Sequence, residues 1–159
     1  MRIIPIYIVL FFTLFSNNVI FCQMKNSEKK KLLYKGDNLI WANKYQDAKS
    51  VFLELTNAYP DEEQYRFRIA ICNIHIKDYA KKGLETLIEL EPVKVKKNLA
   101  DFNYHFALGH YYNHNFEIAN PLFESYLLKI KKQDNKALEN HVQLLMNYNS
   151  NAILESKDT

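Results

Sequence analysis

Three histidines crowd one short stretch of the sequence and are the first residues that could do chemistry. His110 and His114 are four residues apart, with His105 five residues before His110. On a helix, a spacing of four places two imidazoles on one face, as a metal site would require, while His105 would point about 140° away from His110. No His-Glu-x-x-His pattern and no cysteine accompany them. We therefore expect surface or groove histidines, with no bound metal and no other cofactor.

Cys72 is the second candidate for chemistry. It lies among Ile69, Ala70 and Ile71, so we expect the thiol to be buried between helices, as free cysteines usually are. A cysteine nucleophile would also need a base brought close by the fold, and nothing in the sequence nominates one.

Glu85, Glu89 and Glu91 could be interpreted as paired carboxylates for acid and base catalysis. Their helical spacing and the nearby Lys81 and Lys82 instead favour a solvated face with intrahelical ion pairs. Because none of the known catalytic motifs occurs, we expect no enzymatic activity and no small-molecule substrate.

Composition limits the class of protein that these residues belong to. The 159 residues are 48% hydrophobic and 25% charged, with 3 Gly and 4 Pro, which suits one helical domain and excludes a disordered chain. The basic residues number 21 against 18 acids, so the net charge of +3 argues against nucleic acid as a partner. Lys94, Lys96, Lys97, Lys129, Lys131 and Lys132 could form a basic edge toward anionic lipid or an acidic partner, although ordinary surface lysines explain them nearly as well.

The first 22 residues have the layout of a secretory signal peptide. Met1 and Arg2 precede an uncharged run from Ile3 to Phe15, and a polar break at Ser16 follows. We expect cleavage after Cys22, which would leave Gln23 as the first residue. Two alternatives stay open: a retained membrane anchor, which the polar break disfavours, and acylation of Cys22 as a lipoprotein, which the bulky Phe21 disfavours.

From Lys29 onward the apolar residues fall at helical spacing and predict pairs of amphipathic helices. Ala48 and Ala80 are 32 residues apart, as are Pro60 and Pro92, and a third unit follows from about Asn98. Self-similarity at this period indicates an array of helical hairpins, stabilised by packing between neighbours.

The units resemble the tetratricopeptide repeat, whose pattern is W-x2-L-G-x2-Y, then A-x3-F, then P. The first unit matches this pattern at Gly36, Ala48, Phe52 and Pro60. The second unit matches it at Ala80 and Pro92, and has Ala70 in place of the glycine and Leu84 in place of the phenylalanine. The third unit matches it at Leu108, Gly109, Tyr112, Ala119 and Phe123. Small residues such as Gly36, Ala70 and Gly109 would let helices approach, while Phe52, Leu84 and Phe123 fill the space between hairpins. Pro121 predicts a late start or a kink in the last of these helices.

The expected fold is therefore an all-α, tetratricopeptide-like solenoid of about three hairpins plus a C-terminal capping helix. The expected segments are a signal peptide at 1–22, a linker at 23–29, hairpins at 30–132, a capping helix at 133–150 and a flexible tail at 151–159.

A narrower resemblance concerns the cell envelope. The signal ending before Gln23, the phrase from Asn43 to Ala48, and Tyr126 to Lys129 are similar to the N-terminal part of Bacteroidota envelope proteins. In those proteins such hairpins precede a β-propeller and an OmpA-like peptidoglycan-binding domain, and some serve type IX secretion. The resemblance covers the signal and the hairpins and not the propeller or the OmpA-like domain, so we do not carry peptidoglycan binding over from it.

By the same resemblance, first helices line a concave groove on the side just after the small residue. This selects seven partner-binding residues: Asp37, Gln64, Phe67, Asn103, Phe106, His110 and Asn113. Large amphipathic rings at Tyr104, Tyr111, Tyr112 and Tyr126 add the residue type that dominates interface hot spots.

The sequence thus predicts an exported adaptor that binds a protein or peptide in the periplasm or at the outer membrane, with peripheral membrane association left open. The alternative is a structural accessory subunit, or a shortened relative, of an OmpA-associated envelope complex.

Overall fold

In the computed structural model of the protein, the described residues are 24–93, 102–131 and 135–157. The expected signal peptide with Cys22, the predicted mature start at Gln23, and Lys94, Lys96, Lys97 and Lys132 lie outside the described residues.

Seven α-helices make up the described part of the chain. They are α1 (Asn26–Trp41), α2 (Tyr45–Ala58), α3 (Glu63–Ile74), α4 (Ala80–Leu90), α5 (Phe102–Tyr112), α6 (Phe116–Ile130) and α7 (Lys136–Lys157), with short 3-10 helices at Lys77–Tyr79 and Glu91–Val93. Each helix packs against the next along the chain, and α3 also contacts α5. The prediction of an all-α chain of sequentially paired helices is confirmed. None of these helices combines the length and the apolar content that a membrane crossing requires.

The first and third hairpins turn in the same way. Asn43 and His114 adopt positive φ angles of 57° and 60°, the left-handed conformation that follows many helix ends. The amide after each of them bonds back to a carbonyl five residues earlier, Lys44 N to Leu39 O at 2.8 Å and Asn115 N to His110 O at 2.9 Å. These are Schellman motifs built without glycine.

The second turn is built differently. Ile76 is extended, and the 3-10 helix at Lys77–Tyr79 then leads directly into α4. The helices of this hairpin therefore reverse direction without a left-handed residue.

Close helix approaches occur at small residues, as the sequence predicted. Gly36 lies against the ring of Phe52, and a Cβ at this glycine would be 2.5 Å from the ring's Cζ atom. Gly109 faces Leu84 of the preceding hairpin, whose Cδ1 would be 3.2 Å from such a Cβ. The third close approach is at Gly83 of α4, which meets the amide nitrogen of Ile74. The close approach of helices at Gly83 was not predicted from the sequence.

Buried side chains form two hydrophobic clusters. The first contains Ala48, Phe52, Leu55, Tyr65 and Cys72 from α2 and α3. The second runs through α3 to α7, from Phe67 to Leu145. The expected spacers between hairpins, Phe52, Leu84 and Phe123, are all buried.

Two predictions at the C-terminal end need correction. Helix α6 begins at Phe116 and contains Pro121, so, of the late start or kink predicted from this proline, the late start does not occur. Helix α7 continues to Lys157 where a polar tail was expected from residue 151. Ala152 and Ile153 are half-buried and extend the helix face that already carries the buried Val142 and Leu145.

Candidate functional site

Asp37 is the first of the predicted groove residues, and it forms an ion pair between consecutive first helices. Its two carboxylate oxygens accept hydrogen bonds from Arg68 of α3, at 2.7 Å from Nε and 3.2 Å from Nη2. The guanidinium carbon of Arg68 also lies 5.7 Å from the centroid of the Phe52 ring. The pair therefore ties α1 to α3 at a partly exposed place.

The two predicted residues of α3 have different surroundings. Gln64 is half-buried and donates a hydrogen bond to Glu62 Oε2 at 2.9 Å. Phe67 is only 4% exposed and stacks on Phe102 with ring centroids 5.7 Å apart. In the described structure Phe67 therefore belongs to the core, and it holds α3 against α5.

The four predicted residues in α5 and just after it are mostly engaged by the protein itself. Asn103 and Phe106 are half-buried, and Phe106 packs on the core. His110 is 6% exposed. Asn113 donates from Nδ2 to the carbonyls of Gly109 and Ala80, at 2.8 Å and 3.2 Å, and so ties α5 to the start of α4.

The three histidines that could have formed a metal site do not share a helix face. His110 is buried within α5, where burial lowers its pKa, whereas His114 is exposed in the turn after α5 ends. His105 lies edge-on to Phe67, and burial, followed by the charge of His75, lowers its pKa to about 3. Within the described ranges, no three His, Cys, Asp or Glu side chains gather in the way that metal coordination needs.

The thiol of Cys72 is fully buried, as predicted from its apolar neighbours. Burial raises the pKa of this thiol to about 12. A protonated, inaccessible thiol is a structural residue because the thiolate is the nucleophilic form.

The acidic residues of the second hairpin lie on its surface, where Glu89 and Arg66 form an ion pair of 2.6 Å between α4 and α3. Glu89 thus forms an ion pair between two helices, where an ion pair within its own helix was expected. Lys129 and Lys131, the described members of the predicted basic edge, are exposed.

A row of aromatic rings crosses all three hairpin turns. The ring of His75 stacks on Tyr45 at a centroid distance of 4.3 Å and meets Tyr112 edge-on at 5.6 Å. Tyr111 and Phe116 continue the row at 5.3 Å and 6.0 Å. We call this row the aromatic edge: Tyr45, His75, Tyr112, Tyr111, Phe116 and His114.

The positions of these rings explain the row. Tyr45 and Phe116 are the first residues of α2 and α6, and each stands two residues after a left-handed turn residue. His75 caps the C-terminus of α3, and Tyr112 ends α5. Because all of these rings stand at helix ends, rings from successive hairpins come together at the turns. His75 was missed from sequence; the only signal was its place at the end of a helix.

The aromatic edge ends in a depression beside α7. Tyr111, Tyr112, His114, Phe116, Tyr148 and Ala152 line a cavity of about 400 Å³. An adjoining cavity of about 370 Å³ shares His114, Phe116 and Ala152 and adds Glu117. We call the two together the C-terminal aromatic pocket. It was missed because α7 was expected to end before Ala152.

No protein-family model matches the chain, and comparisons with curated proteins and with solved structures found no similar protein. The described fold is an all-helical array of sequential pairs with no family identified, so the tetratricopeptide resemblance rests on this chain's own residues.

Proposed function

We propose that the protein is an exported, tetratricopeptide-type adaptor of the bacterial cell envelope that binds a segment of another protein and performs no catalysis. The observation that carries this proposal is the aromatic edge, whose rings cross three hairpin turns and end in the C-terminal aromatic pocket. Tyrosine and other large rings dominate the energetics of protein interfaces because they combine a broad apolar face with a polar tip.

The exposure of the rings supports a binding role for this surface. Tyr112 is 42% exposed and Tyr148 is 56% exposed, although both stand beside buried core residues. Ile118 and Leu144 are also exposed, and Ile118 lines the adjoining cavity. Large apolar side chains gathered around a depression favour a partner that covers them.

Three buried titratable groups favour a role other than catalysis. Burial keeps His75 and His105 neutral, with pKa values lowered to about 4 and about 3, and keeps the Cys72 thiol protonated. A catalytic base works best with a pKa near the working pH. The pKa values of these groups lie far from neutral pH, so the groups are poorly suited to that role.

Site-specific photo-crosslinking tests the proposal. A photoreactive amino acid is placed at Tyr112 on the aromatic edge, at Asn103 in the predicted groove, and at Leu128, an exposed control on α6. The chain is expressed in its native host, and captured proteins are identified by mass spectrometry. We expect one dominant envelope protein at Tyr112 or Asn103 and none at Leu128.

The alternative is a structural subunit of an outer-membrane or secretion complex related to OmpA-associated proteins. It predicts crosslinks from Leu128 on the second helices, together with constant co-fractionation with the outer membrane. Crosslinks from Leu128 alone would reject the adaptor and favour this alternative, whereas a freely released periplasmic monomer would count against it.

A further inference from the structure

The walls of the C-terminal aromatic pocket come from three segments of the chain. Tyr111 and Tyr112 end α5, Phe116 begins α6, and Tyr148 projects from α7. Residues on separate helices are held apart by the packing of those helices, so the space between the rings belongs to the fold and does not depend on one mobile loop.

The rings are set at steep angles to one another. Tyr111 and Tyr112 are inclined by 77°, and His114 and Phe116 by 90°. Rings inclined in this way offer both faces and edges to a group that lies between them. A large flat ligand would stack on one ring only, whereas a small planar cation such as a guanidinium can contact more than one ring.

The charge around the pocket favours a cation. Among the described residues that line the two cavities, Glu117 is the one with a formal charge. The face of an aromatic ring carries the negative part of its quadrupole, so the rings and the carboxylate attract the same kind of group.

The protein already uses tyrosine rings in this way. The Nζ atom of Lys49 lies 3.8 Å from the centroid of the Tyr79 ring, and that of Lys29 lies 4.2 Å from the Tyr59 ring. In the part of the chain that the structure describes, no lysine or arginine lies over Tyr111, Tyr112, Phe116 or Tyr148. Among the described residues, the rings of the pocket therefore have no cationic partner.

We propose that the C-terminal aromatic pocket binds an arginine side chain of the protein partner, with its guanidinium against the rings and near Glu117. Arginine fits better than lysine because the guanidinium is planar, is less strongly hydrated and stacks on aromatic faces. This proposal rests on the proposed function, since it names the chemistry of the segment that the adaptor binds.

The test compares a charged probe with a neutral one of the same shape. The probes are the tripeptides acetyl-Gly-Arg-Gly-amide and acetyl-Gly-citrulline-Gly-amide, added to the full chain while ring signals are followed by NMR. We expect the arginine peptide to bind about tenfold more tightly than the citrulline peptide, as cation–π contacts and one nearby carboxylate would give.

Variants locate the binding site. Tyr148→Leu removes an exposed ring from the pocket, and Glu117→Gln removes its charge; we expect each to weaken binding of the arginine peptide several-fold. Tyr34→Leu is the matched control because Tyr34 is a 71% exposed tyrosine of α1, outside the pocket. It should leave binding unchanged, and circular dichroism verifies that all three variants stay folded.

Equal binding of the two peptides, or unchanged arginine binding in Tyr148→Leu, would overturn the proposal. If a partner is nevertheless captured at Tyr112 by photo-crosslinking, the adaptor function survives and only the arginine specificity is lost. If the arginine preference is found but no envelope protein is captured, the pocket chemistry stands and the proposed function fails.

Discussion

The imidazole of His75 lies flat against the ring of Tyr45, with centroids 4.3 Å apart and ring planes 6° from parallel. The two residues belong to successive hairpins, since Tyr45 begins α2 and His75 caps α3. The contact therefore joins the first hairpin to the second at the edge where the helices turn, and it places a titratable ring inside a structural interface.

The first prediction is that acid weakens the fold through His75 and His105. Burial lowers their pKa values to about 4 and about 3, below the ordinary value near 6.5. Below pH 6.5 the unfolded chain therefore binds more protons than the folded one, so stability is full above that pH and falls toward pH 4. We expect a loss of about 2 kcal/mol for each ring between pH 7.5 and pH 5, measured by urea unfolding.

The matched variants separate these rings from other titrating groups. In the double variant with His75→Phe and His105→Phe, the free energy of unfolding should lose most of its pH dependence. The variant His141→Gln, on the exposed part of α7, should keep that dependence. An unchanged slope in the double variant would show that other groups carry the acid sensitivity.

The second prediction ranks three glycine-to-alanine changes. At Gly83 a Cβ would lie 2.7 Å from the amide nitrogen of Ile74 and 2.9 Å from the carbonyl oxygen of Ala70, and backbone atoms cannot turn aside. At Gly109 the nearest atom is Cδ1 of Leu84, which can rotate. We expect Gly83→Ala to cost about 1–3 kcal/mol. Gly109→Ala should be near neutral because alanine also favours the helix by about 1 kcal/mol.

Gly36→Ala should resemble Gly83→Ala, since its Cβ would meet the buried Phe52 ring. Chemical unfolding measures all three. A costly Gly109→Ala with a harmless Gly83→Ala would contradict the close approach of α3 and α4.

The third prediction concerns the left-handed turn at His114. A non-glycine residue at a φ of 60° is strained, and a β-branched one more so. We expect His114→Gly to stabilise the protein by about 0.5–1 kcal/mol and His114→Val to destabilise it by about 1–2 kcal/mol. Thermal unfolding of the two variants gives the comparison, and equal stabilities would argue against the Schellman turn.

The fourth prediction is that Cys72 reacts only when the protein unfolds. The thiol is buried, so a reagent cannot reach it in the folded state. Its pKa is raised to about 12, so the reactive thiolate does not form at neutral pH. Alkylation followed by mass spectrometry should label Cys72 in denaturant and leave it unmodified at neutral pH without denaturant. Rapid labelling of the folded chain would show that α3 opens readily.

Much of the fold could be predicted because apolar periodicity and punctuation by Pro60 and by Asn43 are local signals. The end of α7 could not be predicted from the sequence, because Asn149 and its polar neighbours suggest a tail. In the structure Asn149 is buried, and its Nδ2 donates to Asn120 Oδ1 at 2.8 Å. A long-range hydrogen bond thus engages the amide nitrogen of a residue that composition assigns to solvent.

The candidate site was harder to predict than the fold. The groove positions follow from a repeat pattern, but that pattern does not show that Phe67 packs on Phe102 or that Asn113 bonds to Ala80. The aromatic edge depends on contacts between turns that lie about 30 residues apart in the chain. Such contacts depend on how hairpins stack, which local spacing does not encode.

Helix α3 buries opposite faces in different cores. Tyr65 and Cys72 enter the first cluster, while Phe67 and Ile71 enter the second. Neither cluster can come apart without exposing one side of this helix, so α3 couples the stabilities of the two clusters. Amide exchange should accordingly be slowest in α3, and a weakened α3 should lower the unfolding free energy of both ends of the array together.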